Sequence, residues 1–233
     1  MTTPRPADTP TPTKIPTSTP TPPATPMPEA SSTPLSDPRG DVGTYENGSP
    51  VEGVPDGVDI LAASVGTDLR VVLRPTEEVP APLAEWATED EVLLWISLYD
   101  PVPDPPTVFT DWVLVLDLDG NMATGRPAGS VRVNSDLGYE AAVGVSYNDA
   151  GGEYEPYLLV WDQMNLALVS KPDKPRFVLD ETRTLIGLAL SLETLTENVE
   201  QTTGVTLVPE SVKGRAAVQS RAGGQKVIDL YPD

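Results

Sequence analysis

The chain has 233 residues, 39% of them apolar, with 15 basic and 35 acidic side chains and a formal net charge of −20. Arg5 and Lys14 against Asp8, Glu29 and Asp37 give the first 38 residues a charge of −1, so −19 rests on the remainder, which repels nucleic acid and anionic membranes and attracts cations. Cysteine and histidine are both absent, which excludes disulfides, thiolate and imidazole metal sites and Ser-His-Asp triads, and leaves carboxylate chemistry.

Residues 1–38 alternate Thr and Pro, as in Thr-Pro-Thr-Pro-Thr-Lys-Ile-Pro. Proline fixes φ and removes backbone donors, so this composition favours extended, polyproline-like chain and builds no packed core. It predicts a disordered linker or semi-rigid stalk ahead of one folded domain, 39–233. No apolar run approaches the ~20 residues needed to cross a bilayer. The first residues carry no charged-then-apolar signal pattern. A stalked domain of this kind is expected to be extracellular or anchored at a cell surface, with its signal or anchor segment absent from this chain.

The folded part opens with Asp37-Pro38-Arg39-Gly40-Asp41, where Arg-Gly-Asp reads as a turn and not as an adhesion tripeptide. Asn47-Gly48-Ser49 matches a glycosylation acceptor but is followed by Pro50. From residue 59 the pattern is β. Strands are expected over 60–65 and 69–73, paired about a turn at Gly66-Thr67-Asp68, then over 92–99 and 107–117, with a loop at 75–82. Further strands are expected over 131–134, 139–147, 153–161, 167–170 and 176–179.

Residues 184–192 alternate strictly, Ile186, Leu188, Leu190 and Leu192 against Leu185, Gly187, Ala189 and Ser191, which is a strand with one bulky and one small face. A helix is expected over 193–203, opened by a capping box at Thr194-Leu195-Thr196-Glu197 and stopped by Gly204. Two short strands follow near 216–220 and 227–230. Many short strands joined by short loops predict an all-β, two-sheet, largely antiparallel β-sandwich with one short helix near the C-terminus.

The most apolar strand runs into Asp117-Leu118-Asp119-Gly120-Asn121, closed by Thr124-Gly125. In an extended chain Asp117 and Asp119 project from one face about 7 Å apart. A turn at Gly120 brings Asn121 towards the same point. Hard oxygen donors in a loop suit calcium, which takes 6–8 of them. The spacing is not that of an EF-hand, and an acidic turn whose side chains bond their own backbone is the alternative.

An apolar strand followed by Asp-x-Asp-x-Asn-x-x-Thr-Gly resembles the motif of extracellular β-sandwich modules related to carbohydrate-binding family 9 and DOMON-type domains. The opening, Asp37-Pro38-x-Gly40-Asp41 with Gly43-x-Tyr45 and Asp59-Ile60-Leu61, is similar to the start of the C-terminal glucodextranase-like binding module. The resemblance implies a secreted or surface-anchored sandwich whose acidic loops hold calcium, with a sugar-binding role. The chain departs from the pattern at Gly138-Tyr139-Glu140, where such modules carry Gly-x-Asp-Tyr, and Glu140 offers the oxygen there.

Sugar modules stack an aromatic face on the pyranose ring, and Tyr157, Trp161 and Tyr139 are the ligand-binding candidates. Their alternative role, shared with Trp95 and Trp112, is core. The sequence therefore points to a non-catalytic, calcium-stabilised binding module. A polysaccharide or cell-surface glycan is the leading partner class. A structural spacer or adhesion domain with protein partners in a surface assembly, and a carboxylate-based glycoside hydrolase, are the alternatives.

Overall fold

The computed structural model describes residues 36–73 and 79–232. Most of the predicted linker and part of the predicted loop at 75–82 lie outside them.

Among the described residues, strands form two antiparallel sheets. The larger has seven strands, in the order β1 (Gly43–Thr44), β11 (Gln225–Tyr231), β10 (Lys213–Ala222), β4 (Thr110–Asp117), β5 (Ala141–Asn148), β6 (Glu153–Asp162) and β7 (Ala167–Ser170). The smaller has four, in the order β2 (Ile60–Ala63), β3 (Glu91–Leu98), β9 (Leu185–Ser191) and β8 (Arg176–Leu179). The predicted two-sheet antiparallel sandwich is the observed fold. No helix among these residues is long and apolar enough to cross a membrane.

The period-two pattern decides which side chains face the other sheet. Trp112, Leu114 and Leu116 of β4, Val143 and Val145 of β5, Leu158 and Val160 of β6 and Ala216 and Val218 of β10 join one core with Leu94 and Ile96 of β3 and Ile186 and Leu188 of β9. Each such aliphatic contributes about 1.5–3 kcal/mol by leaving water. The intervening residues of the large sheet are also covered. Val113, Val115, Ala142, Ala217, Ile228 and Leu230 form a second apolar cluster on its outer face. A strand buried on both faces reads as a near-continuous apolar run, which is why β4 is the most hydrophobic stretch of the chain.

What covers that outer face is the long excursion between β4 and β5, residues 118–140, which packs Val133, Leu137 and Tyr139 onto it. The strand expected over 131–134 is instead a single 3₁₀ turn, Arg132–Asn134, within this excursion. Its alternating valines misled: Val133 faces the sheet, while the buried Asn134 donates through Nδ2 to the carbonyls of Arg126 and Pro127 and holds the turn. Arg215 pins the same segment, its buried guanidinium reaching Asp136 at 2.7 Å and Ser135 Oγ at 3.0 Å.

Two further expectations change. Residues 69–73 form no strand with 60–65. Leu69 adopts φ 67, and the segment makes only isolated bridges, Val65↔Val71 and Arg70↔Lys213, because it crosses from the small sheet to the large one. Residues at the end of the predicted loop form a short helix, α1 (Ala81–Ala84), whose Leu83 packs against the bare backbone of Gly187 on the small face of β9. The main helix, α2 (Leu192–Thr203), is capped by Ser191, whose Oγ accepts from the Thr194 amide, and ends at Gly204 with φ 73. Its buried residues are Leu195 and Val199.

Candidate metal centre

The site is built by register. Leu116 pairs with Ala141 across β4 and β5, and the Glu140 amide donates to Leu116 O at 3.0 Å, so Asp117 and Glu140 follow as neighbours on the outer face of the large sheet. Cross-strand neighbours lie about 5 Å apart. Asp119, two residues beyond the strand, turns back over them. One carboxylate oxygen from each of Asp117, Asp119 and Glu140 lies within 4.8 Å of the others.

Both Asp117 and Glu140 are fully buried, and Asp119 is half-buried. Glu140 is partly satisfied: Oε2 accepts from the Leu118 amide at 2.8 Å and Oε1 from Thr124 Oγ1 at 2.8 Å. Asp119 Oδ1 accepts from the Asn121 amide at 2.8 Å. Asp117 is different. Both of its oxygens are buried without a hydrogen bond of good geometry; burial raises the carboxyl's pKa, and the nearby Gly120 amide offsets part of the rise.

Thr124 adds a fourth oxygen. Its hydroxyl lies 2.7 Å from Asn121 O, 2.8 Å from Glu140 Oε1 and 3.0 and 3.2 Å from the two Asp119 oxygens. One hydroxyl proton serves only one of these acceptors well at a time. The centre thus gathers more oxygens than it has protons to share.

Electrostatics report the same excess. Burial pushes Glu140 up to about 7, the Leu118 amide and Thr124 hydroxyl offset part of this, and the Asp117 and Asp119 charges add to it. Burial also raises Asp117, with Asp119 adding repulsion and Lys213, its partner across β10, offsetting some of it. Two buried carboxylates and a third beside them resist joint ionisation, and a divalent cation relieves that directly.

The loop geometry depends on glycine at its crossing point. Gly125 has φ 65, and a Cβ there would lie 2.5 Å from both Gly138 O and Tyr139 O. Thr124-Gly125 therefore runs directly against Gly138-Tyr139, bringing the loop after β4 onto the approach to β5.

Of the residues singled out in the sequence, Asp117 and Asp119 meet as expected. Asn121 is exposed, and its Oδ1 accepts from the Ala123 amide at 3.1 Å, an Asx turn that shapes the loop. Glu140 takes the third place. Its contribution comes from strand pairing, which local spacing does not reveal.

Of the three aromatic candidates, Tyr139 and Trp161 are buried and Tyr157 is partly so. Tyr139 is 2% exposed and Trp161 7%, with the Arg126 guanidinium 5.8 Å from the centre of each ring. Tyr157 is half-buried, and its hydroxyl donates to Asp111 at 2.7 Å. The rings of Tyr139 and Trp161 are thus almost wholly enclosed. Tyr139 and Tyr157 pack in the outer-face cluster.

A second acidic group, Asp37, Asp41 and Asp229, ties the start of the described chain to β11. Here Asp229 accepts the Ile60 amide, and nearby Asp59 accepts the Gly40 amide at 2.8 Å. Burial, with the Asp41, Asp37 and Asp59 charges, pushes Asp229 up to about 8, and the Ile60 amide offsets part of this.

No protein-family model, no curated protein and no solved structure matches this chain.

Proposed function

We propose that this protein is a non-catalytic β-sandwich module stabilised by calcium held between Asp117, Asp119 and Glu140, and that it works outside the cell. The Asp117 carboxylate carries the reading: it is fully buried, neither oxygen has a hydrogen bond of good geometry, and two further carboxylates lie within reach, with Lys213 offsetting only part of their charge. An uncompensated buried charge costs several kcal/mol, so a carboxylate kept in that position calls for a cation. The hard oxygen set suits calcium, and extracellular modules bind it at about 0.1–1 mM.

The same burial supports a non-catalytic role. Asp117 and Glu140 are close enough for a retaining glycosidase pair, yet both lie under the excursion and out of a sugar's reach. Carbohydrate remains the ligand class that the sequence resemblance suggests. The enclosure of Tyr139 and Trp161, and the engagement of Tyr157 by Asp111, favour a second reading, a spacer or adhesion domain within a surface assembly.

Thermal unfolding tests the metal. Calcium at 100 times Kd stabilises a specific site by about 2.7 kcal/mol, roughly 5–11 °C in midpoint for a domain of this size. The expected result is a shift of that order over EDTA, absent in Asp117→Asn; an unchanged wild-type midpoint overturns the proposal. Affinity electrophoresis through polysaccharide gels separates the two module readings, because a spacer is not retarded by any glycan.

A further inference from the structure

We infer that the cation at this centre is a latch: it holds the 118–140 excursion against the outer face of the seven-stranded sheet, and its loss uncovers that apolar face. The inference rests on the calcium reading above and adds what occupancy controls.

The latch follows from where the donors sit. Asp119 and Thr124 belong to the outgoing end of the excursion, Glu140 to its returning end, and Asp117 to the strand beneath. A cation shared by these oxygens cross-links both ends of one loop to the sheet. Between those ends lie the residues that do the covering, Val133, Leu137 and Tyr139 over Val113, Val115 and Ala142.

The rest of the excursion is held by contacts that need no ion. Arg215 binds Asp136 and Ser135, and Arg132 donates to Thr44 O at 2.9 Å. Among the described residues, the two ends have no comparable ion pair. They are joined by hydrogen bonds from the Leu118 amide and the Thr124 hydroxyl to Glu140 and from the Arg126 amide to Tyr139 O, set against three carboxylates facing one another. Without a cation, the ways to relieve that repulsion are to protonate or to part, and parting lifts Thr124-Gly125 away from Gly138-Tyr139. Opening at the root then frees the middle, because Tyr139 is adjacent to Glu140 in the chain and packs in the same cluster.

Hydrogen exchange on the full chain, with calcium and with EDTA, reads this directly, alongside terbium luminescence or calorimetry to report binding. If opening the excursion breaks the site, calcium at 100 times Kd slows exchange through that opening about 100-fold. The amides concerned are those of Thr124, Arg126, Gly129 and Glu140, which are bonded within the excursion or at its root. Amides of β3 and β9 in the other sheet should change far less. Asp117→Asn removes one of the opposing charges, so in EDTA its excursion should exchange more slowly than that of the wild type.

Calcium binding with selective protection of 118–140, and the opposite behaviour of Asp117→Asn in EDTA, is the expected result. Binding with no change there, or with equal change in both sheets, overturns the latch and leaves the calcium reading standing. Absence of binding overturns both.

Discussion

At the scale of single residues, the site makes an unusual demand of Asp117→Asn. A carboxamide in place of an unpartnered buried carboxylate removes repulsion with Asp119 and Glu140. The variant should therefore melt above the wild type in EDTA and below it in saturating calcium, and crossing midpoints in two buffers check this. A second carboxylate answers to pH alone. Burial raises Asp111 to about 6, partly offset by the Tyr157 hydroxyl that donates to it. Its unfolded value is near 3.9, so the native state holds the proton more tightly. The stability it contributes is fully present below about pH 4 and is lost as pH rises through 6. Asp111→Asn keeps an acceptor for Tyr157 and should flatten that fall, by at most about 3 kcal/mol and less with solvent screening. Difference melting curves between pH 4 and 7 measure it. Of this chemistry, the sequence displays Asp117 and Asp119 through their spacing and their place after an apolar strand. Glu140 stands out in it only through the family resemblance, since the β4–β5 register is what brings it beside them, and the Asn121 side chain accepts a hydrogen bond from the loop backbone.

At the scale of elements, strands were legible wherever one face alternates against the other, and β7, β8 and β9 lie where periodicity puts them. Failures came where the same residues do another job. Val131 and Val133 alternate like a strand, yet they sit in a cover over a sheet, and the buried Asn134 turns the chain there. The small face of β9 was plain in Gly187 and Ala189, but its occupant was not, since a four-residue helix opened by prolines looks like a loop. A Cβ on Gly187 would lie 2.6 Å from Leu83 Cδ2 and 2.8 Å from Val178 Cγ1. Gly187→Ala should cost about 1–3 kcal/mol through overpacking, and Leu83→Ala about 2–5 through the cavity it leaves. The double variant should cost less than the sum, because removing Leu83 vacates the space the new methyl needs. Urea titrations of the three variants give the coupling.

For the molecule as a whole, charge sets the background against which the centre acts. A net −20 strains the compact state through self-repulsion, and any salt screens part of it. Calcium and sodium chloride at equal ionic strength should therefore both raise the midpoint, with calcium adding the roughly 5–11 °C of a specific site. Equal shifts would reduce the acidic centre to general screening. The order of strands carries a different consequence. β1 pairs with β11 through only Gly43↔Ile228 and Thr44↔Val227, and the two strands are antiparallel. The chain thus comes into this sheet and leaves it along one edge, at the same end. Tension drawn through the two ends loads those pairs in sequence, as a zipper is opened, and not together in shear. The sandwich should yield at low force by shedding β1 first, while the broad pairing of β4, β5 and β10 stays intact, so that under pull it gives a little length before it gives up its core.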